Sequence, residues 1–184
     1  MPLRSLNTLR TDLLYKNPYW EYKLDKYTLP DGTVGEYHYV HSRDSAMVIP
    51  INHDGKIILV KQFRYLWQRE SIEFPSGGVK EGDALTTAKE ELAEEANLAA
   101  SNWRFIGEYN PYNGVTDEIA SVFVATGLSH FERGQDASEE FEIVEVNISG
   151  FQVLIDRGEV WDGMTLAAWM LAKPAVCEYA TRIK

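Results

Sequence analysis

The chain has one cysteine, Cys177, in 184 residues. A single thiol excludes an internal disulfide framework and points to a reducing compartment. Histidine is nearly as scarce: positions 38, 41, 53 and 130 show no metal-ligand spacing, and no Ser/His/Asp or Cys/His arrangement stands out around them. Positive charge is in deficit, with a formal net charge of −10. An acidic surface attracts neither nucleic acid nor an anionic membrane, so neither is expected as the main partner. No apolar run approaches the length that spans a bilayer, and the first residues (MPLRSLNTLRTDLL) lack the continuous apolar core of a secretory signal. The expectation is a cytoplasmic protein. Internal repeats and low-complexity segments are missing too. What remains is ordinary globular composition, 45% hydrophobic and 25% charged, with enough chain for one well-buried domain and a small appendage.

Residues 73–98, EFPSGGVKEGDALTTAKEELAEEANL, carry the densest chemistry. Pro75-Ser76-Gly77-Gly78 breaks an extended run, and Gly82-Asp83 makes a second turn. From Ala84 the spacing predicts a helix with Leu85, Ala88 and Leu92 on one face, ended by Asn97 in a left-handed conformation. Glu91, Glu94 and Glu95 then sit at i, i+3 and i+4 and share one side. Three such carboxylates form either a solvated acidic face or a site for a hard divalent cation, Mg2+ or Mn2+. Glu91 and Glu95 border the apolar stripe beneath a glycine-rich loop, which favours the metal site, with these two as its first ligands. Glu90 is expected on the far side, towards water.

The remainder reads as strands first and helices last. Residues 19–39 alternate around Pro30-Asp31-Gly32 as a β-hairpin, whereas residues 1–18 show no assignable pattern. Residues 45–51 and 56–62 are nearly continuous apolar strands joined by the turn at Asn52-His53-Asp54-Gly55. Strands are expected at 103–109, 119–125 and 141–148, with an acidic loop over 127–140. Ser149 is a candidate cap for a short helix ended by Gly158, and Asp162 caps a last helix that Pro174 stops or kinks. The order implies an α/β protein, a mixed sheet between helical layers.

The 73–98 stretch resembles the Nudix box, G-x(5)-E-x(7)-R-E-U-x-E-E-x-G-U with U apolar, found in hydrolases that cleave nucleoside diphosphates linked to another group. Gly77 takes the first glycine, Asp83 the first glutamate, Glu91-Leu92-x-Glu94-Glu95 the core and Leu98 the last apolar position. The spacer after Asp83 is one residue short, Glu90 stands for arginine and Asn97 for glycine. Further likeness to the ADP-ribose and nucleotide-sugar pyrophosphatase branch lies in Asp31-Gly32-Thr33-Val34-Gly35-Glu36-Tyr37, Gln62-Phe63-Arg64-Tyr65, Glu73-Phe74-Pro75-Ser76-Gly77, Glu140-Phe141-Glu142-Ile143-Val144 and Asp162-Gly163-Met164-Thr165. The resemblance implies an α/β/α sandwich over residues 44–184, with residues 1–43 as an N-terminal hairpin extension that contributes to a homodimer contact. It also implies a small nucleotide substrate and Mg2+ or Mn2+. The metal would be held by Glu91 and Glu95 with Glu94 and the Ser76 carbonyl, and Glu73 would assist. Arg64 either forks onto a phosphate or pairs with a nearby carboxylate, while Gly114 and Glu118 match a substrate-contacting segment. A glutamate of the acidic loop would act as general base, with Glu140 first, Glu142 second and Glu139 third. The alternative is a decayed Nudix domain that binds a nucleotide or protein without catalysis.

Overall fold

The structure, a computed structural model, describes residues 5–80, 83–131 and 140–183. Its chain divides into two compact units, residues up to Arg43 with 110–119, and 44–109 with 120–184.

The first unit is an antiparallel sheet in the order β1 (Asn7–Lys16), β2 (Trp20–Thr28), β3 (Val34–Ser42). The β2–β3 hairpin is where alternation puts it. Asp31 closes its turn by accepting from the Thr33 N–H and hydroxyl, which holds the Asp31 carboxyl below the ordinary carboxylate range. Gly32 supplies the positive φ of 86°. The strand β1 left no period in the sequence because it is almost wholly exposed, so burial imposes no alternation on Leu9, Leu13 and Leu14. Segment 110–119 joins this unit through a Val40–Thr116 bridge and a His41–Asp117 contact of 2.7 Å.

The second unit has the expected mixed α/β class, but among the described residues its strands form two sheets rather than one. A mixed sheet runs β7 (Ser76–Gly78), β4 (Ser45–Pro50), β9 (Ala120–His130), β8 (Leu98–Tyr109), with β4 and β9 parallel. An antiparallel sheet runs β10 (Glu142–Val146), β5 (Ile57–Arg64), β6 (Arg69–Glu73). The turn at 52–55 is as expected, yet β4 and β5 part into different sheets after one bridge, Ile51–Ile57. Strands apolar on both faces carry no mark of which sheet they join.

Both faces of β4 are buried because each meets a separate core. Met47 and Ile49 pack with Leu59, Phe74, Phe151 and Trp169. Ala46 and Val48 pack with Val60, Phe123 and the Ala88, Leu92 and Ala96 face of helix α1 (Ala84–Ala96). Leu92 is fully buried there, which contributes roughly 1.5–3 kcal/mol.

Helix α2 (Ile148–Asp156) starts two residues earlier than expected: Asn147, not Ser149, caps it, accepting from the Gly150 N–H at 2.7 Å. Gly158, at φ +69°, follows its end. Helix α3 (Gly163–Arg182) starts at the Asp162 cap as expected and is not stopped at Pro174. Pro174 is exposed, while Val176 and Tyr179 continue the buried stripe beyond it. That burial outweighs the cost of an interior proline, about 3 kcal/mol. Residues 127–130, expected in a loop, extend β9, and residues 132–139 lie outside the described residues. No described helix is long and apolar enough to cross a membrane.

Candidate active site

Helix α1 is set by its ends. Asp83 caps the start, its carboxylate accepting from the Thr86 N–H at 2.7 Å, and that hydrogen bond depresses its pKa. Asn97 ends it at φ 53°, a left-handed conformation that asparagine tolerates and most side chains avoid. Between these ends the helix turns Glu91, Glu94 and Glu95 to one side. Glu95 is only 6% exposed, and its Oε2 accepts the Ser76 N–H at 3.0 Å. Glu91 is seated directly against Gly77: a Cβ there would fall 2.1 Å from Glu91 Oε1. Gly77 has no positive φ, so the absence of a side chain matters here for space and not for backbone freedom. Glu94 is half-buried beside them.

The segment 73–76 crosses from β6 to β7 in front of this helix. Glu73, 2% exposed, is gripped by Arg64 through two bonds, Nε to Oε1 at 2.7 Å and Nη2 to Oε2. Of the two readings of Arg64, the structure shows the carboxylate fork. Glu73 chiefly, then Asp162 and Glu95, raise the guanidinium pKa against the opposing effect of burial. Arg64 therefore stays charged between carboxylates of three elements. The fork uses Nε and Nη2, which leaves the Nη1 edge outside it. Glu73, expected to assist the metal, is tied into this pair.

The remaining expected residues are distributed as follows. Glu140 is exposed and lines a surface cleft of about 220 Å³ with Lys61, Glu70 and Glu142. Glu142 pairs directly across the sheet with Lys61 at 2.6 Å. Alternation puts Lys61 on the face of β5 opposite Arg64, so Glu142 is not brought to the Arg64–Glu73 side. Gly114 and Glu118 lie in the first unit, where Gly114 accepts the Tyr37 hydroxyl at 2.9 Å and Glu118 the Ser42 hydroxyl at 3.3 Å. Glu90, expected towards water, is half-buried and lines a groove of about 270 Å³ with Thr86, Leu98 and Trp103. Its charge thus faces the α1–β8 side of the helix rather than Gly77. Thr165, which the sequence marks only as the end of the Asp162-Gly163-Met164-Thr165 match, is completely buried and bonded to the Phe74 N–H. The only signal for it was its place three residues after the Asp162 cap.

The donor set fits a hard divalent ion. Carboxylate and carbonyl oxygens are its preferred ligands, and the glycine cradle gives Glu91 room beside the loop. Among the described residues no three His, Cys, Asp or Glu side chains form a ready cage. Gly77→Ala tests the cradle: the methyl can be accommodated by moving the flexible Glu91 carboxylate, so the melting temperature should hardly change. Titration of Mn2+ by electron paramagnetic resonance should show weaker binding by about tenfold, as for a displaced ligand. Unchanged Mn2+ affinity would remove Glu91 from the site.

Residues 41–163 match the NUDIX domain family. The chain is 30% identical over 164 residues to an ADP-ribose pyrophosphatase of Bacillus subtilis (strain 168), covering 88% of this chain and 89% of that one. It is 27% identical to a methanol dehydrogenase activator of Bacillus methanolicus over the same shares. It is 26% identical over 182 residues to an ADP-ribose pyrophosphatase of Mycobacterium tuberculosis (strain ATCC 25618 / H37Rv), covering 96% and 86%. The fold matches a crystal structure of an ADP compounds hydrolase at a TM-score of 0.86 and 16% identity, over 97% of this chain and 98% of that one.

Proposed function

The chain belongs to the NUDIX domain family and is a hydrolase of the ADP-ribose pyrophosphatase type, and we propose that it cleaves the diphosphate of ADP-ribose or a nucleotide sugar in a metal-dependent reaction. The products are a nucleoside monophosphate and a sugar phosphate. Glu91 and Glu95 hold the ion, with Glu94 behind them and the Ser76 carbonyl beside them. Bound there, Mg2+ or Mn2+ supplies positive charge to the diphosphate oxygens and makes water more acidic. Arg64, held by Glu73, presents its free edge to a phosphate oxygen. Glu140 takes the proton from the attacking water, and Gly114 and Glu118 contact the substrate. The protein acts as a cytoplasmic homodimer.

The observation that carries this reading is the pair of carboxylates one helical turn apart on α1, one bonded to the Ser76 amide and one seated on Gly77. The test is a panel of ADP-ribose, ADP-glucose and dinucleoside polyphosphates, incubated with Mg2+ and coupled to a phosphatase. Phosphate release from ADP-ribose or a nucleotide sugar is expected. Release from dinucleoside polyphosphates alone would move the chain to another substrate class, and no release from any compound would favour the binding module.

A further inference from the structure

The four residues from the end of β6 to the start of β7, Glu73 to Ser76, are each fastened by a different element. Arg64 of β5 grips Glu73, Thr165 Oγ1 of α3 accepts the Phe74 N–H at 3.3 Å, the Val48 N–H of β4 donates to the Pro75 carbonyl at 3.0 Å, and Glu95 of α1 accepts the Ser76 N–H. Thr165 stands apart from the other three anchors because it is a neutral side chain with no exposure to solvent. Its own N–H is held by Asp162 Oδ2 at 2.7 Å, so the start of α3 is a fixed post. Asp162 also lies within the electrostatic reach of Arg64, which ties that post to the same cluster. The Phe74 side chain is fully buried, with its ring 5.4 Å from that of Phe151, so an unbonded Phe74 N–H finds no water to replace Thr165.

We propose that Thr165 is a positioning residue of the site: through the Phe74 N–H its hydroxyl sets the height of the 73–76 backbone, and so the place of the Ser76 peptide against Glu95. Transmission is short and stiff. Between the Phe74 N–H and the Ser76 peptide stand planar peptide bonds and one proline, whose ring fixes φ near −65°. A displacement at Phe74 therefore travels to Ser76 with few soft torsions to absorb it. The inference rests on the reading of Glu91, Glu95 and Ser76 as the metal-holding groups.

Substrate-free Mn2+ binding, followed by electron paramagnetic resonance, tests it in wild type, Thr165→Val, Thr165→Ser and Val176→Ala. Valine keeps the shape of threonine but offers no acceptor, so Mn2+ affinity should fall by about tenfold, as for other partners that orient ligands. Serine keeps the acceptor and should stay within about twofold of wild type by the same comparison. Val176→Ala opens a cavity further along α3 and should lower the melting temperature without moving Mn2+ affinity. A folded Thr165→Val protein that binds Mn2+ like wild type overturns the proposal. So does a Val176→Ala protein that loses affinity equally, since the effect is then general destabilisation. Should Thr165→Val not fold, Thr165→Ser decides alone: affinity lower than wild type by more than about fivefold contradicts a role for the hydroxyl. Wild-type protein that binds no Mn2+ would instead refute the metal site itself.

Discussion

Glu95→Gln is expected to reduce hydrolysis to background while the protein stays folded. The amide oxygen of glutamine can still accept the Ser76 N–H, so the bond that docks the loop on α1 survives. Lost is the charge, and a neutral amide is a poor ligand where a hard cation needs a carboxylate. The same change removes one like-charge pair at i, i+4 with Glu91, worth about 0.2–0.5 kcal/mol on a helix. The metal-free variant should accordingly melt no lower than wild type, and its melting temperature should respond less to Mg2+, because a ligand stabilises only the state that binds it. Near-full activity of Glu95→Gln at low Mg2+ would show that the ion is held elsewhere.

Glu140→Gln should lower kcat by roughly two to four orders of magnitude, the usual contribution of a positioned general base. KM and Mn2+ affinity should stay close to wild type, because a group that only accepts a proton contributes to the transition state and not to the ground state. Exposed at the head of β10, Glu140 has no packing role, so the variant should melt like wild type. A large loss of Mn2+ affinity would make Glu140 a ligand instead. No kinetic effect would pass the role to Glu139 or Glu142.

Local rules were legible in the chain wherever one signal had no rival. The helix from Ala84 to Ala96, its left-handed Asn97 and the Asp162 cap each follow from a residue type whose conformational preference nothing nearby opposes. Legibility failed where tertiary contacts decide. Pro174 reads as a stop or a kink, and the buried stripe beyond it carries the helix on. Asn147 and Ser149 are both good caps, and only the chain's path off β10 selects Asn147. Strands β4 and β5 look alike in sequence, and their division between two sheets depends on which core each face meets.

The candidate site was legible to the same degree. The shared side of Glu91 and Glu95 could be read because helical spacing fixes it without knowledge of anything else. The partner of Arg64 could not, because the choice between carboxylate and phosphate depends on β6 lying beside β5. Thr165 is 91 residues from Phe74 in sequence, and no local pattern connects them. Glu90 reads as a reversed charge among metal ligands, yet the structure turns it into the groove with Trp103. That placement explains how the helix carries glutamate at the box arginine position without adding a fourth carboxylate to the loop side.

The central claim is that the α1 carboxylates serve a metal-dependent cleavage of a nucleoside diphosphate derivative. Its most direct test is chromatography of ADP-ribose after incubation with the purified protein, once with millimolar Mg2+ or Mn2+ and once with excess chelator. The account predicts AMP and ribose 5-phosphate in equal amounts with metal and intact ADP-ribose with chelator. Equal product formation in both would contradict the metal-dependent site.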